Sequence, residues 1–194
     1  MIYYCIVKMV KIFFYCLFWP IVKGRENIPT DGGYIISANH KSNYDPIFTT
    51  IVQNKKVYFL AKEELFSRKP FGSFLLYVGA YPLKRGASDI AALRVGIALL
   101  KDNKPLTVYP QGTRSEKIDL TKIKTGVALL AVKSRVPVLP IGIDGKYVPF
   151  HRMKLIIGKP MYFDEYYDKK LTSENLQLIT VSIMKNIQSL VGEE

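Results

Sequence analysis

A series of apolar runs, each closed at once by polar residues and followed by a helical pattern, most constrains what this chain can become. The runs are YIISAN (Tyr34–Asn39), KVYFLA ending at Ala61, LTVYP (Leu106–Pro110), VPVLPIGI (Val136–Ile143) and KLIIGKPMYF (Lys154–Phe163). Helical stretches lie between them. Asp45-Pro46 reads as a helix start, with Asp45 at the N-cap and Pro46 at the first helical position, running to about Gln53. Ser88-Asp89 opens an amphipathic helix through Ile90, Leu93, Ile97 and Leu100, another spans Lys124–Lys133, and a last one spans Ser173–Val191. Strands alternating with helices predict an α/β layered domain, its central sheet largely parallel or mixed and flanked by helices. At 194 residues the chain suits one domain with one sizeable core, and it shows neither internal repeats nor a dividing linker.

The first 22 residues stand apart as an apolar segment, with residues 23–194 expected to form the domain proper. Ile2 to Val22 is interrupted only by Lys8 and Lys11. Phe18-Trp19-Pro20 offers no small-residue cleavage site, so a signal peptide is a poor fit. A membrane-spanning helix would carry both lysines in its first half, at roughly 2–3 kcal/mol each near the bilayer centre. Tyr4, Lys8, Lys11 and Tyr15 recur at helical period as one polar-tipped stripe, with Ile6, Val10, Phe13 and Leu17 on the opposite side. The expectation is a helix lying in a membrane interface, with Tyr4, Lys8, Lys11, Phe13, Tyr15 and Leu17 in contact with it. Cys5 and Cys16 share a face of this helix several turns apart, a geometry at odds with a disulfide between them.

Charge narrows the partner. The 28 basic and 16 acidic residues give a net charge of +12, which calls for an anionic partner. The basic residues are scattered and no nucleic-acid fold signature is present, so nucleic acid is set aside in favour of an anionic membrane surface or a phosphorylated substrate. Two histidines far apart in sequence, and two cysteines in the apolar segment, give no metal-binding spacing.

Two polar clusters follow directly on apolar strands: NHKSNYD (Asn39–Asp45) and YPQGTRS (Tyr109–Ser115). In open α/β sheets ligands bind beyond the carboxyl ends of strands, so both clusters have the expected address. His40 and Asp45 can form a base and its orienting carboxylate, provided a turn brings them together. A helix-capping Asp45 beside an ordinary loop histidine is the competing reading of the same spacing. Arg114 presents a guanidinium suited to phosphate oxygens, with Gly112 and Thr113 beside it, although such loops are common as plain solvated turns.

Together these clusters resemble the ordered motifs of the glycerolipid acyltransferase family. NHKSNYD resembles its first motif, Asn-His-x4-Asp. Ala61 to Arg85 resembles the second, closing on Gly79-Ala80-x-Pro82-x-x-Arg85; YPQGTRS resembles the third and VPVLPIGI the fourth, with GRENIP (Gly24–Pro29) as the segment that precedes the first. The resemblance implies that His40 deprotonates the sn-2 hydroxyl of lysophosphatidate while Asp45 orients it. The oxygen then attacks an acyl thioester of acyl-carrier protein or coenzyme A without an acyl-enzyme. No further cofactor is implied. It also implies that Arg114, with Arg85, Lys62 and Lys124, holds the acceptor phosphate, and that the protein works at the cytoplasmic face of a bacterial inner membrane. One position departs from the family pattern. Gln111 stands where glutamate is usual, keeping an acceptor oxygen while losing the charge, at a position expected to contact the acceptor. Transfer to another lysolipid or to glycerol-3-phosphate, and a catalytically weak lipid-binding role, stay open as alternatives.

Overall fold

The computed structural model describes residues 2–83 and 89–192. Among these, seven strands form one sheet: β1 (Ile21–Lys23), β2 (Ile35–Ala38), β3 (Tyr58–Lys62), β4 (Ala80–Leu83), β5 (Leu106–Val108), β6 (Val138–Asp144) and β7 (Lys154–Ile157). Their order is β1-β7-β6-β2-β5-β3-β4, and every neighbouring pair is parallel except β6–β7. The mostly parallel mixed sheet is the one the alternating pattern predicts. The helices are α1 (Ile2–Phe18), α2 (Asp45–Ile51), α3 (Lys69–Tyr77), α4 (Asp89–Lys101), α5 (Gly126–Ser134) and α6 (Ser173–Val191).

The central strands β2 and β6 are buried along almost their whole length, Ser37 included, because both faces of the sheet are covered. On one face Ile36 and Ala38 of β2 pack with Phe48, Ile51 and Val52 of the α2 region and with Phe14 and Phe18 of α1. On the other, Ile35, Leu106 and Val138 pack with Leu99 and Leu100 of α4, Val127, Ala128, Leu130, Ala131 and Val132 of α5, and Ile179, Ile183, Met184 and Ile187 of α6. The spacing of the α6 residues is the helical stripe that faces a sheet. Thr172 and Asn175 close its first turn as a reciprocal capping box, and Gly192 ends it in the left-handed region. Gly142 of β6 admits this helix closely, since a Cβ there would lie 2.7 Å from Leu190 Cβ.

Two elements were not anticipated. α3 and β4 lie in the stretch from Lys69 to Leu83, where Phe71, Phe74 and Leu76 are exposed and therefore leave no burial pattern to read. Pro82 sits in β4, at the edge of the sheet, where a missing backbone N–H costs little.

α1 departs from the expected division into a polar and an apolar side. Its inner face is Tyr3, Phe14 and Phe18, buried, with Val7, Val10 and Leu17 packed beside them. Phe13, grouped with Val10 and Leu17 on the expected apolar side, is instead 61% exposed and belongs to an outer face with Met9 and Ile12. The helix is apolar nearly all round, and the core takes the face whose aromatic rings reach Phe48. No helix among the described residues is long and apolar enough to cross a membrane.

Candidate active site

β6, β2 and β5 are adjacent and parallel, so their carboxyl ends open onto one edge of the sheet. After β2 the chain turns into α2 on one face; after β5 it continues to α5 on the other. Connections that part in this way leave a crevice at the strand ends. Both polar clusters emerge there side by side. The His40 ring stacks on the Tyr109 ring, with centroids 4.2 Å apart and planes 19° from parallel.

The turn that a His/Asp pair requires is present. His40 Nδ1 and Asp45 Oδ2 are 2.6 Å apart. Asp45 Oδ2 also accepts from the backbone N–H groups of Lys41 and Ser42, each at 2.7 Å, while Oδ1 accepts from the Tyr147 hydroxyl at 2.5 Å. An ionised carboxylate accepts only and offers about four lone-pair sites, so these donors fill it and offset the cost of its complete burial. Because the carboxylate cannot donate, Nδ1 carries the proton of the neutral ring and Nε2 keeps its lone pair. Nε2 has no hydrogen-bond partner among the described residues, and the His40 side chain is 19% exposed. The capping reading of Asp45 does not hold. The helix is capped at Tyr44 with no side-chain bond, and the Asp45 carboxylate reaches back to the loop before it.

Several residues that the motifs did not single out build this arrangement. Tyr147 follows β6 and is pinned by its bond to Asp45; burial, and then the negative charge of Asp45, push its phenol well above the usual range, so it stays a donor. Burial also raises the Tyr109 phenol, whose oxygen lies 3.4 Å from Thr49 Oγ1. The buried Asn39 side chain clips β2 to β6, donating to Ile143 O at 2.9 Å and accepting from Ile143 N–H at 2.8 Å. Asn39 belonged to the first motif without a stated role; nothing local marks Tyr147.

The second loop is tied to the first. His40 N–H donates to Gln111 Oε1 at 2.7 Å, and Ser115 N–H donates to His40 O at 2.8 Å. Gln111 is buried, and its amide donates to Lys117 O at 3.4 Å. Arg114 is exposed and donates through Nη1 to Asn43 Oδ1 at 2.9 Å, which holds the guanidinium over the His40 loop. Gly112 takes φ +68°, and a Cβ there would lie 2.8 Å from Lys124 Cε, so the lysine stem runs across the glycine. Lys124 N–H donates to Pro110 O at 2.7 Å, bringing that lysine to the loop. Thr113 is exposed beside them. Lys62 closes β3 on the same edge of the sheet, and Arg85 lies outside the described residues.

The residues expected at a membrane are divided. Tyr4, Lys8 and Phe13 are exposed, Lys11 and Tyr15 are half-buried, and Leu17 turns toward the core.

Residues 20–144 match the family model described as Acyltransferase. A 1-acyl-sn-glycerol-3-phosphate acyltransferase of Bacillus subtilis (strain 168) is 30% identical over 176 residues, which cover 87% of this chain and 86% of that protein. One from Streptococcus pneumoniae (strain ATCC BAA-255 / R6) is 27% identical over 176 residues, covering 87% of this chain and 64% of its own. The crystal structure of the 1-acyl-sn-glycerophosphate (LPA) acyltransferase from Thermotoga maritima superposes with a TM-score of 0.73 at 26% identity, over 97% of this chain and 79% of that one.

Proposed function

Because the chain belongs to the 1-acyl-sn-glycerol-3-phosphate acyltransferase family, we propose that it transfers a fatty acyl group from an acyl thioester to the sn-2 hydroxyl of lysophosphatidate, giving phosphatidate. The observation that carries this reading is the His40–Asp45 contact of 2.6 Å at the mouth of the crevice, with Nε2 left unbonded. A base of this kind takes the hydroxyl proton as the oxygen attacks the thioester carbonyl. The C–S bond then breaks, and the imidazolium returns the proton to the departing thiolate, so the products are an ester and a free thiol. Asp45 holds the ring in the required tautomer and stabilises its charged form. Cys5 and Cys16 lie on α1, and no serine hydroxyl among the described residues bonds to His40, in keeping with direct attack by the acceptor.

In this reading Arg114 grips the acceptor phosphate with the guanidinium N–H groups that Asn43 leaves free, and Lys124 adds charge across Gly112. Arg85 and Lys62 complete the set from the motif positions. Gln111 contributes by joining the two loops through its acceptor oxygen, a capacity it shares with glutamate, so the loss of charge leaves that joint intact. The donor is the thioester of acyl-carrier protein or coenzyme A. The protein works peripherally, at the cytoplasmic face of a bacterial inner membrane, with the outer face of α1 (Met9, Ile12, Phe13) in the interface.

The test is acyl transfer to lysophosphatidate in vesicles by this protein and by His40→Ala. The expected loss in the variant is roughly a hundredfold to ten-thousandfold with the fold retained, the usual worth of a positioned base. Equal activity in both would remove His40 from the mechanism. Inactivity of both, with varied donors, would move the assignment to another acceptor or to lipid binding.

A further inference from the structure

A groove of about 530 Å³ runs along the outer flank of α1, lined by Lys8, Lys11, Ile12, Tyr15, Cys16 and Trp19. None of these residues builds the His40 crevice. Arg25 closes one side, since its Nη2 donates to the Tyr15 hydroxyl at 2.7 Å, and the Lys11 ammonium lies 5.6 Å from the centre of the same ring. Lys8, Lys11 and Arg25 meet no carboxylate within ion-pair distance among the described residues. Burial, and then the like charge of Arg25, hold the Lys11 pKa below the usual lysine value, so this is a cationic cluster that an anion would relieve.

The wall of the groove itself is mostly apolar, with the cations along it. Trp19, 53% exposed, stands at φ +39°, and Phe150, 67% exposed, at φ +65°. Bulky side chains rarely take this left-handed backbone, and neither ring recovers the cost by burial. Each is tied to the end of α1 through its backbone, Trp19 N–H donating to Tyr15 O at 3.0 Å and Phe150 N–H to Leu17 O at 2.6 Å, and of the two only Trp19 lines the groove. Exposed aromatic rings beside lysines are what membrane-bound proteins place at the headgroup level of a bilayer.

We propose that the groove binds the headgroup phosphate of an anionic phospholipid of the bilayer, distinct from the acyl acceptor. Lys8, Lys11 and Arg25 meet the phosphate, and Trp19 and Ile12 lie along the glycerol and the first acyl carbons. The proposal rests on the membrane-contact reading of α1 and is independent of the chemistry at His40.

Trp19 is the sole tryptophan of the chain and reports directly on the site. The full chain is titrated with phosphatidylcholine vesicles and with vesicles of phosphatidylcholine and phosphatidylglycerol, following Trp19 fluorescence and co-sedimentation. A tighter fit to the anionic vesicles, with a blue shift of Trp19, is expected. The Lys8→Gln, Lys11→Gln double variant should lose affinity for them by on the order of thirtyfold and keep its affinity for the neutral ones. The control is Lys133→Gln with Lys170→Gln, two exposed cations away from the groove, one on α5 and one in the loop before α6. Its anionic preference should hardly change. An equal loss in the control would assign the attraction to net charge and overturn the groove. So would an unchanged preference in the Lys8, Lys11 variant, which leaves membrane contact standing. Failure to bind either vesicle would overturn the membrane reading together with the groove.

Discussion

Asp45 shows how much of a site a motif can leave unsaid. Its spacing from His40 is legible in Asn39–Asp45, but the fourth donor, Tyr147, lies 102 residues further on and is brought in only because β6 pairs with β2. Nothing in Asp144–Phe150 distinguishes that tyrosine from a surface residue before folding. The same holds for Tyr109, whose place under the His40 ring follows from the pairing of β2 with β5. Tyr147 acts on the reaction through Asp45, so Tyr147→Phe should leave one carboxylate oxygen without its donor while sparing the acceptor's own contacts. The expected outcome is a fall in kcat of roughly tenfold to a hundredfold, the worth of one hydrogen bond to a charged group, with the KM for lysophosphatidate unchanged. A rise in KM at constant kcat would instead make the tyrosine part of the acceptor's pocket. Unchanged kinetics would show that the two loop amides position Asp45 alone.

At the scale of elements, reading succeeded where burial imposes a pattern. The last helix begins and ends where its caps say, at Ser173 and Val191, because Thr172 and Gly192 give local signals and its stripe faces the sheet. α1 lacks that clarity, being apolar on both its core and its outer side. Its inner face is part of the body of the protein: Phe14 packs on Phe48 and Tyr44, and Phe18 on Phe48 and Tyr147. Removing residues 1–22 would therefore open the core beside Asp45, and single substitutions separate the two faces better. Phe14→Ala should destabilise the fold by roughly 3–5 kcal/mol in denaturant unfolding, as expected for a buried aromatic. Phe13→Ala, on the exposed face, should unfold within about 0.5 kcal/mol of the parent and yet bind vesicles less well. The reverse pattern would mean that the helix presents its other side to the bilayer.

The described residues form one sheet between two cores of unequal consequence. The core under α4, α5 and α6 fixes the sheet, and so holds the strand ends in register, but none of its buried residues belongs to the His40 loop. The core under α1 and α2 is continuous with the site: Phe48 touches Tyr147, Phe14 and Phe18, and Tyr109 and Tyr147 pack against the same cluster. A loss of packing on the two faces should therefore be told apart by function rather than by stability. Ile183→Ala and Phe48→Ala both empty fully buried positions, and each should cost roughly 2–5 kcal/mol of folding free energy. Measured well below both melting temperatures, Ile183→Ala should keep the kcat of the parent, since rigid strand ends need only a folded sheet. Phe48→Ala should lower it, because Tyr147 loses the ring that holds it toward Asp45 and the donor geometry loosens. Equal losses of kcat would show that the site depends on the stiffness of the whole sheet, and would place the far core within the functional machinery.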